Sequence, residues 1–124
     1  MALNNIALDT NIAIEVPNGN HQTISILRQF DLICLPITVC GELLFGAKNS
    51  SRVQYNLPRF ESFIAECQIL DTVEPVAVEY SDIKRHLKEI GSPIPENDIW
   101  IAAICRVYNI AYLQGMGILQ ISSP

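Results

Sequence analysis

Four short apolar runs recur along this chain, each parted from the next by a segment of helical character. Residues 6–8, 32–35, 69–73 and 110–113 are too short to be buried helices and read as strands. The stretches between them follow the 3.6-residue period. Residues 22–30 place Ile24, Leu27 and Phe30 on one face, and residues 52–67 do the same with Leu57, Phe60, Phe63, Ile64 and Cys67. Pro58 is the one break in that second pattern. Thr38 suits the N-cap of a helix running through Ala47. Pro75 opens a helix to Ile90 that Gly91 stops. Residues 97–108 are apolar on nearly every face, which predicts a central helix, and residues 118–121 supply a fifth strand. Strands alternating with helices predict an α/β fold of three layers, a mostly parallel central sheet of four to five strands flanked by helices. A length of 124 residues suits one domain over 1–124.

Composition removes several function classes. The longest uncharged apolar run, residues 99–105, falls far short of the ~20 residues a membrane helix needs. The first residues, Met1 to Asn5, carry no basic region and do not read as a signal peptide. Cys34, Cys40, Cys67 and Cys105 show no CxxC spacing and sit in apolar surroundings, as reduced core residues of a cytoplasmic protein do. His21 and His86 match no zinc pattern. A net charge of −5 argues against a general basic surface for nucleic acid. It leaves room for a nuclease, because a metal ion in an acidic site recruits phosphate locally. Two small basic clusters remain, Lys48 with Arg52, and Lys84, Arg85 and Lys88.

Three acidic residues stand alone among apolar neighbours. Asp9 ends the run Ile6-Ala7-Leu8-Asp9, Glu42 lies in Cys40-Gly41-Glu42-Leu43-Leu44-Phe45, and Asp98 opens Asp98-Ile99-Trp100-Ile101-Ala102-Ala103. No Lys or Arg adjoins any of them in sequence. Carboxylates in apolar settings want a partner, and hard oxygen donors suit Mg²⁺ or Mn²⁺. In parallel sheets ligands bind beyond the carboxyl ends of the strands. Asp9 ends the first strand, Thr38 and Glu42 follow the second, and Asp98 begins the helix that leads into the fourth, so all three acids can converge on one edge. Thr10, Asn11, Thr38 and Asn97 are polar neighbours able to orient them. Each acid also has a plainer role: Asp9 and Asp98 as helix caps, Glu42 as an exposed helical residue. Lys48 and Arg52 are candidate contacts to a phosphate backbone, or else a solvated helix end.

These segments resemble a known family. Leu8-Asp9-Thr10-Asn11, then Thr38-Val39-Cys40-Gly41-Glu42-Leu43-Leu44-Phe45-Gly46-Ala47, then Gly91-Ser92-Pro93-Ile94-Pro95-Glu96-Asn97-Asp98-Ile99-Trp100-Ile101-Ala102-Ala103 are similar to the three ordered motifs of PIN domains, and most closely to VapC-type ribonuclease toxins. The similarity runs from about Ile6 to Leu113. The resemblance implies a PIN-like fold and a metal-dependent endoribonuclease, with Asp9, Glu42 and Asp98 as the catalytic, Mg²⁺- or Mn²⁺-binding acids. It further implies an RNA substrate, a cognate antitoxin and a homodimer. One place departs from the family. The fourth strand is usually followed by a Thr-x-Asp or Thr-x-Asn segment, whereas this chain continues Gln114-Gly115-Met116-Gly117 with no later acid.

Two other readings share these features. A degenerate, catalytically weak PIN domain would bind the antitoxin or dimerise without cutting RNA, and the missing fourth acid favours it. A metal-dependent phosphatase would use the same acids, but the chain has no Asp-x-Asp nucleophile motif.

Overall fold

The computed structural model describes residues 4–114 and 117–119. Its elements in chain order are β1 (Asn5–Leu8), α1 (Thr10–Ala13), α2 (His21–Leu27), β2 (Leu32–Pro36), α3 (Ile37–Lys48), α4 (Val53–Glu66), β3 (Gln68–Leu70), α5 (Glu74–Glu89), α6 (Glu96–Tyr108), β4 (Tyr112–Gln114) and β5 (Gly117–Leu119). The strands form one sheet in the order β3-β2-β1-β4-β5. The pairs β3–β2, β2–β1 and β1–β4 are parallel, and β5 closes the edge antiparallel to β4. The expected α/β architecture is thus present, with four parallel strands and one antiparallel.

The central position of β1 follows from its side chains. Ile6, Ala7 and Leu8 are completely buried, as a strand covered on both faces by helices must be. The order of strands also creates a switch point. From β1 the chain steps outward to β2 and β3, then returns across the sheet to place β4 on the other side of β1. Ligands in open α/β sheets bind in the crevice that such a reversal opens at the carboxyl ends of the strands. Here Asp9 N–H donates to Leu113 O at 3.1 Å, so the residue after β1 is tied to the end of β4.

Several boundaries differ from the sequence expectation. Thr38 does not cap α3. Pro36, with φ −54° and ψ 141°, ends β2 and turns the chain directly into the helix, so the N-cap place is already taken. Thr38 falls in the first helical turn, with its Oγ1 buried and without a partner among the described residues. Likewise Pro95 holds the N-cap place of α6, so neither Asn97 nor Asp98 caps it. Strand β4 starts at Tyr112 instead of Ile110, because Ile110 N–H returns to Cys105 O at 3.0 Å to close α6. That closure needs Asn109 in the left-handed conformation, φ 54°. Asn20 caps α2 by accepting from Thr23 N–H at 3.0 Å, and the helix stops at Leu27 short of Phe30. Strand β3 stops at Leu70 instead of reaching Val73. Pro58 sits inside α4 and the helix persists around it. Phe60 is buried there, and Leu57, Phe63 and Ile64 pack on the core, which outweighs one missing backbone hydrogen bond. Gly115 and Met116, where the family's fourth acid would fall, lie outside the described residues, as does the far end of the expected fifth strand.

Candidate active site

At the carboxyl ends of β1 and β4 lies a cleft of about 210 Å³. Asp9, Asn11, Asp98, Tyr112 and Gln114 supply its polar lining, and Ile94, Pro95 and Ile101 its apolar wall. Asp9 arrives there because β1 ends at Leu8 and the chain turns into α1. Its Oδ1 accepts from Ile12 N–H at 2.9 Å, which caps that short helix and fixes the side chain. Asp98 arrives from the first turn of α6.

Glu42 stands on α3 beside this pair without lining the cleft. Its Oε1 accepts hydrogen bonds from Thr10 Oγ1 and from Asn97 Nδ2. Thr10 is the neighbour of Asp9, and Asn97 the neighbour of Asp98. Glu42 therefore ties together the two segments that carry the other two acids. Among the described residues, no group of three His, Cys, Asp or Glu side chains forms one ligand set.

Burial is uneven across the three acids. Asp9 is half-buried, whereas Glu42 and Asp98 are exposed. Their apolar sequence neighbours mislead on this point. On α3, Val39, Cys40 and Leu43 face the core while Glu42 faces out, since adjacent helical residues do not share a face. On α6, Ile99 and Ile101 turn inward and Asp98 does not.

The electrostatics are unbalanced. Burial raises the carboxyl of Asp9 above its ordinary value. The Ile12 N–H opposes the rise, while the charges of Asp98, Glu15 and Glu42 add to it. None of the ion pairs among the described residues involves Asp9, Glu42 or Asp98. Burial first, and then nearby negative groups that include Asp98 and Asp9, push the Tyr112 phenol up to about 12, so it keeps its proton in the cleft.

The remaining candidates are placed as follows. Asn11 lines the cleft, and Thr10 and Asn97 hold Glu42. Thr38 Oγ1 has no hydrogen-bond partner among the described residues. Lys48 lies exposed at the end of α3, and the Arg52 guanidinium sits 4.1 Å from the centre of the Tyr55 ring; neither lines the cleft. Glu96, one residue from Asn97, points its carboxylate to Tyr80 and Lys84 instead of into the cleft. Tyr112 is the lining residue that sequence reasoning missed. Its signal was the two-residue spacing from Gln114, which puts both on one face of β4.

The profile of the PIN domain matches residues 6–114, nearly all of the described chain. The chain belongs to the PIN-domain family. Ribonuclease VapC2 of Haemophilus influenzae is 35% identical over 103 residues, covering 80% of this chain and 76% of that protein. In the crystal structure of DNA-bound VapBC from Salmonella typhimurium, a chain 25% identical superposes with a TM-score of 0.77, over 87% of this chain and 83% of that one. VapBC-5 of Mycobacterium tuberculosis, a member of the VapBC family of toxin–antitoxin systems, shares the fold at a TM-score of 0.70 and 22% identity, over 87% and 82% of the two chains. This PIN domain thus places its Asp9–Asp98 cleft at the switch point of the sheet. Among its described residues no helix is long and apolar enough to cross a membrane.

Proposed function

We propose that this PIN domain is a divalent-metal-dependent endoribonuclease, the toxin of a toxin–antitoxin pair. The observation that carries the reading is the pair of uncompensated carboxylates, Asp9 and Asp98, facing one cleft in a chain 35% identical to a protein named ribonuclease. Hard oxygens without a cationic neighbour fit Mg²⁺ or Mn²⁺ and suit no softer metal. Asp9 and Asp98 would hold the cation, with Glu42 joining directly or keeping them in place through Thr10 and Asn97. A bound divalent cation supplies an activated water and charge neutralisation at the phosphate.

The chain's own groups do the rest by placement. The Ile12 N–H holds Asp9 in one orientation. The protonated Tyr112 phenol offers a hydrogen-bond donor inside the cleft, and Gln114 offers an amide at the place where the family resemblance suggests a Thr. Ile94, Pro95 and Ile101 give the cleft one apolar wall. Phosphodiester hydrolysis of this kind needs no histidine or serine, and neither lines the cleft.

The same reading supplies partners. An antitoxin tail fits the hollow of about 220 Å³ between α2 and α4, floored by Ile24, Leu27, Phe63 and Cys67. A basic side chain of that tail would neutralise the acidic cleft in place of the metal. Phe45 on α3, 68% exposed, gives a second copy of the chain something apolar to cover. The four free thiols and the lack of a long apolar helix among the described residues support a cytoplasmic setting.

The test is RNA cleavage by the purified protein in Mn²⁺, beside Asp98→Asn and an EDTA control. Cleavage lost in both controls supports the reading. A wild-type protein that binds its antitoxin yet leaves RNA intact favours the degenerate domain, consistent with the lack of an acid in Gln114-Gly115-Met116-Gly117.

A further inference from the structure

The basic residues of α5 take no part in the cleft described above. Lys84 and Lys88 border a second hollow, of about 330 Å³, between the C-terminal half of α5 and the loop entering α6. Its walls include Leu87, Pro93, Ile94 and Ile99. Two observations join it to the Asp9–Asp98 cleft. Ile94 lines both. Consecutive residues also divide between them, Pro95 facing the cleft and Glu96 the hollow. A strand laid across the loop passes from one to the other without leaving the surface.

The charge changes sign along that path. The cleft carries Asp9 and Asp98, while the hollow is rimmed by two lysines in a chain with only 8 Lys and Arg against 13 Asp and Glu. The two lysines differ in their present engagement. Lys84 Nζ lies 2.9 Å from Glu96 Oε1 and 3.1 Å from the Tyr80 hydroxyl. Lys88 has no ion-pair partner among the described residues.

We propose that this hollow is a subsite for the RNA strand adjoining the scissile phosphate. A nucleobase rests against Leu87, Pro93 and Ile94, and the next backbone phosphate sits between Lys84 and Lys88. The proposal rests on the ribonuclease reading and deepens it by naming where the substrate lies. Cation and apolar wall together offer a single-stranded nucleic acid charge for the backbone and an apolar surface for the base. The size falls within the range of small-ligand sites. Glu96 competes with the phosphate for Lys84, so it acts as a brake on binding.

The experiment titrates a short fluorescein-labelled single-stranded RNA into the full chain in EDTA, where no cutting occurs, across a series of salt concentrations. Cleavage of the same RNA in Mn²⁺ is measured separately. Lys88→Ala should weaken binding several-fold and make the salt dependence shallower by about 0.7 per lost phosphate contact. Glu96→Gln should tighten binding by freeing Lys84. Both positions are exposed, so thermal melting should show both variants folded. A wild type that cleaves RNA while Lys88→Ala binds with unchanged affinity and salt slope overturns the subsite and leaves the nuclease reading standing. A wild type that neither binds nor cleaves RNA overturns both. Loss of affinity for an oligoglutamate peptide in Lys88→Ala, with RNA binding untouched, assigns the lysines to an acidic protein and also overturns the subsite.

Discussion

Asn97 donates from Nδ2 to Glu42 Oε1, joining the first turn of α6 to the middle of α3 across 55 positions of sequence. Thr10 donates to the same oxygen from the far side of the site. A single carboxylate thereby fixes the spacing of the two segments that bear Asp9 and Asp98.

Asn97→Ala should therefore act on the site more than on the fold. The lost hydrogen bond is exposed and contributes about 1 kcal/mol to stability. Loss of an orienting partner typically costs ten- to a hundredfold in metal affinity or activity. Calorimetric Mn²⁺ titration alongside thermal melting separates the two. A large drop in melting temperature with unchanged Mn²⁺ affinity would assign Asn97 a purely structural part.

Asp9 offers a cleaner contrast, because it both caps α1 and carries uncompensated charge. Asparagine caps a helix as well as aspartate does, whereas alanine loses about 1 kcal/mol. Asp9→Asn should melt higher than the metal-free wild type, and Asp9→Ala lower than Asp9→Asn. The sign with pH follows from linkage. The folded-state carboxyl lies above its ordinary value of 3.8. Between those two values the folded chain retains a proton that the unfolded chain has released, so stability from this group falls as pH rises through the window. The advantage of Asp9→Asn should accordingly grow from acid to neutral pH in EDTA. An advantage that shrinks would mean that Asp9 is stabilised as the anion.

The cysteines give a chemical prediction. Burial pushes the thiols of Cys67 and Cys105 up to about 12, and Cys34 and Cys40 are raised as well. The thiolate is the reactive form. The native protein should resist iodoacetamide at neutral pH and take up label at all four positions only once unfolded. Mass spectrometry of the native protein showing rapid labelling of Cys67, the least buried of the four, would contradict the assigned packing.

Asn109 tests the closure of α6. At φ 54° it holds a conformation that glycine adopts freely and β-branched residues avoid. Asn109→Gly should be neutral within a few tenths of a kcal/mol, while Asn109→Val should cost about 1–2 kcal/mol. Urea unfolding midpoints of the two variants read the difference directly.

Much of this architecture was legible in the residues because strands as apolar as Ile6 to Leu8 have only one place in a sheet, the middle. The helices were legible through period, even α4 with Pro58 in it. Boundaries were harder where proline acts on the backbone instead of through a side chain. At Pro36 and Pro95 the fixed φ starts a helix without a capping side chain, so Thr38 and Asp98 drew an expectation that the chain did not need. In the site, the order of strands put Asp9 and Asp98 at one edge, and this is where they lie. What sequence could not convey was the outward turn of Glu42, since its apolar neighbours belong to the opposite side of α3. Tyr112 was hidden for a related reason: an aromatic residue in a strand reads as core until its neighbour two positions on is seen at the mouth of a cleft.

The pairing of β1 with β4 has a consequence in time. Ala7 and Leu8 find their partners in Tyr112 and Leu113, residues that leave the ribosome more than a hundred positions later. Until those residues emerge, the cleft lacks the side chains of Tyr112 and Gln114, and Asp9 lacks the backbone acceptor that anchors it. The site therefore cannot assemble until the chain has been made through Gln114.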